Sequence, residues 1–155
     1  MTINNNNIFG AFTLGEVRSG QLTGDWLNKE STANYGWFGG GVASVPVISS
    51  VDRIDFSNDS VTAIARGQLS SARYRFGATG NSNYGWFGGG STSPGPIIST
   101  VERIDFSNDS LTSSVRGPLS LERQFLRSTG NSNYGWFGGG INPSSPASRS
   151  IVDRI

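Results

Sequence analysis

The sequence predicts an all-β fold of about three tandem units, and a near-identical internal period is the first observation behind it. The run Tyr35-Gly-Trp-Phe-Gly-Gly-Gly41 returns as Tyr84–Gly90 and again as Tyr134–Gly140, at spacings of 49 and 50 residues. Thr79–Gly90 and Thr129–Gly140 are identical. Val51–Ser60 returns as Val101–Ser110 with one change, and its opening returns at Val152–Ile155. Arg66-Gly-Gln-Leu-Ser70 matches Arg116-Gly-Pro-Leu-Ser120, with a fainter echo at Arg18–Thr23. A fixed period of this size is the mark of a repeat architecture. The chain therefore reads as one repeat domain over 1–155. It has a degenerate first unit at 1–41, further units at 42–90 and 91–140, and a partial closing strand at 141–155.

The second observation is the density of short strand signals within a unit. Arg73–Thr79 and Tyr84–Phe87 read as a hairpin around Gly80-Asn-Ser-Asn83, where glycine and asparagine supply turn conformations. Thr100–Phe106 alternates and is rich in branched residues, as a strand requires. Ser107-Asn-Asp-Ser110 reads as a turn and Leu111–Val115 as a further strand, ended by Gly117-Pro118. Four strands in 50 residues leave no room for a long helix. Period-2 alternation puts Tyr84 and Trp86 on one face and Phe87 with Gly85 on the other.

Composition excludes several kinds of chemistry. The chain has no histidine and no cysteine. That removes His-dependent and Cys-dependent nucleophilic catalysis, Cys/His zinc sites and disulfides. The groups left for acid–base work are 11 carboxylates, the tyrosines and one lysine, Lys29. Net charge is +1, which gives no electrostatic reason to expect nucleic acid or an acidic membrane as a partner. Met1–Asn7 is polar, and no stretch has the length and apolarity to span a bilayer. The expectation is a soluble protein without signal peptide, membrane insertion, cofactor or bound metal.

The repeated residues resemble the kelch repeat. Trp86-Phe-Gly-Gly is similar to its aromatic-Gly-Gly element, Ile104–Ser110 to its Tyr-Asp turn, and Pro118-Leu-Ser-Leu-Glu-Arg123 to its Pro-Leu-Pro-x-x-Arg segment. Departures are Val61 and Leu111 where that family carries tryptophan, and Ile54 and Ile104 where it carries tyrosine. The Gly-Trp-Phe-Gly-Gly form also resembles repeat arrays in tail-fibre-like proteins of marine bacteriophages, particularly cyanophages. The resemblance implies kelch-like β-propeller blades, about three four-stranded units per chain. It also implies a virion or tail-fibre component as the setting. β-Trefoil and β-prism remain alternatives, since both build three four-stranded units in this length.

Three units fall short of the four to eight blades that usually close a propeller. The sequence therefore predicts a homo-oligomer, a dimer first, with Ile151–Ile155 completing a blade begun in another copy. Other virion proteins and surface glycans are the further expected partners.

Each candidate site carries two readings. Tyr35, Trp37, Tyr84, Trp86, Tyr134 and Trp136 suit sugar stacking. Their identity at identical repeat positions equally suits packing, which is the reading preferred. Arg53 and Arg103, near Asp55 and Asp105, suit an anion site or, preferably, a repeated bridge between blades. Asp55–Asp59 and Asp105–Asp109 gather oxygens that suit calcium, while Asx-turn chemistry explains the same residues without metal. Asp52/Asp55 and Glu102/Asp105 resemble a glycosidase pair only superficially, being repeated with no distinct cleft residue.

Segments that do not repeat are the better guide to binding. Val42–Ser50, Ser91–Thr100 and Ile141–Ser150 differ in length and sequence while their flanks are nearly copied. Variation confined to a loop fits a surface free to specialise. Ser44, Val45, Pro46, Ser93, Pro94, Gly95, Pro143, Ser144 and Ser145 are the candidate ligand-binding residues. The expected function is a non-catalytic interaction or structural module, with a carbohydrate-binding lectin as the alternative.

Overall fold

A computed structural model of the protein describes residues 35–42, 46–58, 60–142, 144 and 150–155. These form three antiparallel sheets. The first has the order β1 (Tyr35–Val42), β2 (Val47–Asp55), β3 (Ile64–Gln68). The second is a four-stranded meander of β4 (Gly77–Gly80), β5 (Tyr84–Gly88), β6 (Thr100–Asp105) and β7 (Ser114–Pro118). The third comprises β8 (Arg127–Gly130), β9 (Gly135–Gly138) and β10 (Val152–Arg154), with β9 central. One 3-10 turn, Phe106–Asn108, joins β6 to β7. Among the described residues the fold is all-β, none of the sheets closes on itself, and no helix is long and apolar enough to cross a membrane.

Copied sequence gives copied register. Trp37 faces Arg53 and Phe38 faces Asp52 in the first sheet; Trp86 faces Arg103 and Phe87 faces Glu102 in the second. Trp136 and Phe137 face Arg154 and Asp153 in the third. Alternation along β5 then divides the core. Trp86 points forward into a cluster with Val101, Leu119, Leu126 and Phe137, and Phe87 points back into one with Val51, Leu69 and Ile104. The second sheet is thus packed between its neighbours, each buried phenylalanine adding about 1.5–3 kcal/mol of burial free energy.

Several boundaries differ from the sequence expectation. The strand expected from Arg73 starts only at Gly77, because Arg75 has φ 59°, a left-handed conformation that ends extended backbone. Phe125, its counterpart 50 residues on, has the same φ. The strand expected at Leu111–Val115 lies instead at Ser114–Pro118. Asp109 and Ser113 are committed elsewhere: their backbone groups bond Gly67 N and Gln68 O of β3 at 2.8 Å each. Leu111, which suggested a strand, is exposed. Gly117-Pro118, expected just beyond the strand, forms the last two residues of β7, an edge strand where the missing N–H of proline is tolerated. Val152–Arg154 pairs with β9 of its own sheet rather than completing one begun elsewhere. The sheets are also offset from the 42–90 and 91–140 division, the second running from Gly77 to Pro118.

The glycine runs take positive φ near the end of β1 and just after β5 and β9: Gly40 and Gly41, Gly89 and Gly90, Gly139 and Gly140. At Gly89 (φ 69°) a Cβ would stand 2.6 Å from Leu126 Cδ1 and 2.7 Å from Arg123 O. Gly89→Val is therefore expected to lower stability by about 3 kcal/mol, through both strain and clash. Urea denaturation checks this, and an unchanged midpoint would remove the structural role of the run.

Candidate functional site

The most constrained part of the molecule lies where one sheet meets the next. Glu102, on the backward face of β6, is fully buried and accepts from Ser70 N at 2.6 Å and Ser70 Oγ at 2.9 Å. Arg73 and Ser113 also donate to it. Arg73 is itself buried and donates further to Thr100 O at 3.1 Å, while its own carbonyl accepts Gly41 N of the first sheet at 2.9 Å. One residue of the β3–β4 connection thus binds both sheets. The arrangement is copied at the next interface. Arg123 O accepts Gly90 N at 2.8 Å, and the Arg123 side chain reaches Gly139 O, Ile151 O and Asp153 of the third sheet. Burial lowers the pKa of Arg73 from its ordinary value, and the Glu102 charge opposes that shift.

The aromatic candidates divide by position. Trp86 is buried, whereas Trp37 is half-buried and stacks on Phe106 with centroids 3.7 Å apart. Trp136 is half-buried and Tyr134 is exposed. In all three sheets an arginine covers the tyrosine: Arg53 over Tyr35 at 4.2 Å, Arg103 over Tyr84 at 4.0 Å, and Arg154 over Tyr134 at 4.6 Å. A hollow of about 280 Å³ between the first two sheets is lined by Tyr35, Trp37, Thr79, Asn81 and Phe106, among others.

Arg53 does bridge sheets, but its partner is Asp109 at 3.1 Å rather than Asp55. Asp109 also accepts from Trp37 Nε1 at 2.8 Å and faces Arg66 Nε at 3.5 Å. Asp55 and Asp105 instead cap their own turns, accepting from the hydroxyl and backbone N–H of Ser57 and Ser107. Those hydrogen bonds, the hydroxyl first, hold both carboxyls below the ordinary aspartate range. Asp59 lies outside the described residues. Glu102, half of the imagined glycosidase pair, is sealed from solvent and cannot meet a substrate.

Of the loop candidates, Pro46, Ser93, Pro94, Gly95 and Ser144 are all exposed. Ser44, Val45, Pro143 and Ser145 lie outside the described residues, as does the degenerate segment 1–34. The Ser91–Thr100 loop is anchored by Thr92 N to Pro96 O at 3.1 Å and by Ile98 N to Gly90 O at 2.9 Å. Its tip is therefore presented from a fixed base.

Sequence reasoning missed the buried Arg–carboxylate pairs. The signal was there, in arginines 50 residues apart at Arg73 and Arg123, and in the acidic position shared by Asp52, Glu102 and Asp153. No protein-family model matches the sequence, and no curated protein matches it. The described fold defines its class, an all-β repeat protein.

Two outcomes are expected. Glu102→Ala strands a buried guanidinium and should cost about 3–5 kcal/mol, read as a lowered melting temperature. Excess chelator should leave melting unchanged, because protein donors already occupy the Asp105 and Asp109 oxygens. A calcium-dependent rise of several degrees would restore the metal reading.

Proposed function

We propose that this chain is a non-catalytic structural and recognition module whose sheets are successive blades of a propeller-like array. The observation that carries this is a contrast within each unit. The Arg–carboxylate and Phe–Gly contacts recur from one interface to the next, while the loop after each glycine run differs in sequence and exposes Pro46, Ser93, Pro94, Gly95 and Ser144. Such a division suits a rigid stack carrying a variable face. The blade reading is supported by β4 lying against β8, so that the second and third sheets meet along their first strands. Ser128 Oγ donates to Ala78 O there, and Asn81 Nδ2 donates to Ser132 O at 3.1 Å. The resemblance to phage tail-fibre repeats makes a virion surface the proposed setting, with a host-cell surface as the target.

Glycan binding is the second reading, favoured by the aromatic hollow at Tyr35 and Trp37 with Thr79 and Asn81 on its wall. Binding to intact bacterial cells and to a glycan array tests both. Ser93→Ala combined with Pro94→Ala is expected to weaken cell binding about tenfold with melting unchanged, and Trp37→Ala to have no such effect. Array binding lost in Trp37→Ala alone would instead favour the lectin. Turnover of any arrayed glycan would overturn the non-catalytic reading.

A further inference from the structure

Three residues of the inter-sheet contact occur three times in the sequence but are matched only twice in the fold. Phe87 and Phe137 are 3% and 0% exposed, whereas Phe38, at the same position of the first sheet, is 60% exposed. Val51 and Val101 are both 0% exposed, whereas Val152 of the third sheet is 63% exposed. A Cβ on Gly39 would meet the Phe87 ring at 3.0 Å, and one on Gly88 the Phe137 ring at 2.8 Å. At Gly138 it would meet only Val152 Cγ2, at 3.5 Å. The stack of described sheets therefore carries an exposed phenyl ring on its first face and an unfilled glycine-floored hollow on its last.

The hollow has a volume of about 250 Å³ and is lined by Arg127, Ser128, Thr129, Trp136, Gly138 and Val152. Trp136, Gly138 and Val152 are the counterparts of Trp86, Gly88 and Val101, on which Phe137 packs one interface earlier. A cavity of about 150 Å³ is enough to hold benzene, so a phenylalanine ring fits. The two faces also carry opposite charge. Arg127 lines the hollow, and Asp52 is paired with Phe38 across β1 and β2.

We propose that Phe38 of one copy of this chain seats in the hollow at Trp136, Gly138 and Val152 of a second copy, joining copies head to tail. The contact continues the internal Phe87–Gly39 and Phe137–Gly88 series across a chain boundary. It uses sheet faces, not strand edges, and so leaves β10 in its own sheet. A heterologous contact of this kind closes into a ring when the rotation allows, and two copies is the smallest such ring. The inference deepens the structural half of the proposed function. Cell binding by the loop face is measured separately, so either half can fail alone.

The test uses the full 155-residue chain in sedimentation velocity at micromolar concentration. The parent is expected to associate. Phe38→Asp and Gly138→Trp, each at an open position, should each weaken association roughly ten- to a hundredfold, the worth of one buried phenylalanine, while the melting temperature of the monomer, compared at dilution, stays unchanged. Mixing the two variants restores one intact contact and should return dimers that neither forms alone. Because the chain has no cysteine, a short bis-maleimide should link Phe38→Cys to Val152→Cys in a mixture, and not Phe38→Cys to itself. A compact monomeric parent overturns the proposal. So does a Phe38→Asp variant whose monomer is less stable than the parent monomer, which would show that ring to be packed within its own chain. Association indifferent to both variants overturns it equally, by placing the contact elsewhere.

Discussion

Everything in the described fold depends on a phenylalanine of one sheet packing against a glycine of the sheet before it. Two sheets normally stand about 10 Å apart because side chains fill the gap from both sides. At the glycine itself one side contributes no side chain, although Val51 and Val101 pack beside it. The ring of Phe137 occupies the space a Cβ at Gly88 would need, and Phe87 does the same over Gly39. Close approach of the backbones follows, and it brings the polar groups of the connections within reach of the next sheet. The order of causes runs from glycine to ring to hydrogen bonds.

The buried arginine then fixes which sheet follows which. Removing Arg73 and Glu102 from water is costly, and mutual attraction offsets that cost only with additional hydrogen bonding. Ser70 and Ser113 supply bonds to Glu102 and Thr100 O accepts from Arg73, while Arg73 Nε stays buried without a partner among the described residues. A slip of β6 by one residue against β5 and β7 would send Glu102 to the opposite face, away from every one of these partners. Phenylalanine contacts supply the attraction between sheets, and the ion pair makes only one register acceptable.

Much of this was legible in the sequence, because repetition exposes what packing demands. The all-β class, the hairpin around Gly80–Asn83 and the opposite facing of Trp86 and Phe87 came from period and alternation alone. Turn chemistry at Asp105 was legible too, since aspartate followed two residues later by serine is a local pattern. What was not legible is non-local. Nothing near Arg75 signals a left-handed residue, and the late start of β7 is imposed by β3, over forty residues away. Asp109 as the partner of Arg53, 56 residues apart, is likewise a product of stacking. The Arg73–Glu102 pair escaped because each residue looks like an ordinary surface charge until the sheets are assembled.

Arg73 belongs to the connection between two sheets and is bonded to both, which couples their fates. If the first sheet melts, the chain around Arg73 loosens, and Glu102 is left as a buried charge without its partner in a sheet that is still folded. Fraying at one end therefore destabilises the adjoining unit through electrostatics as well as through lost apolar contact. A stack linked this way unfolds less like beads coming off a string than like a zip, with the boundary between folded and melted chain costing more than either side of it.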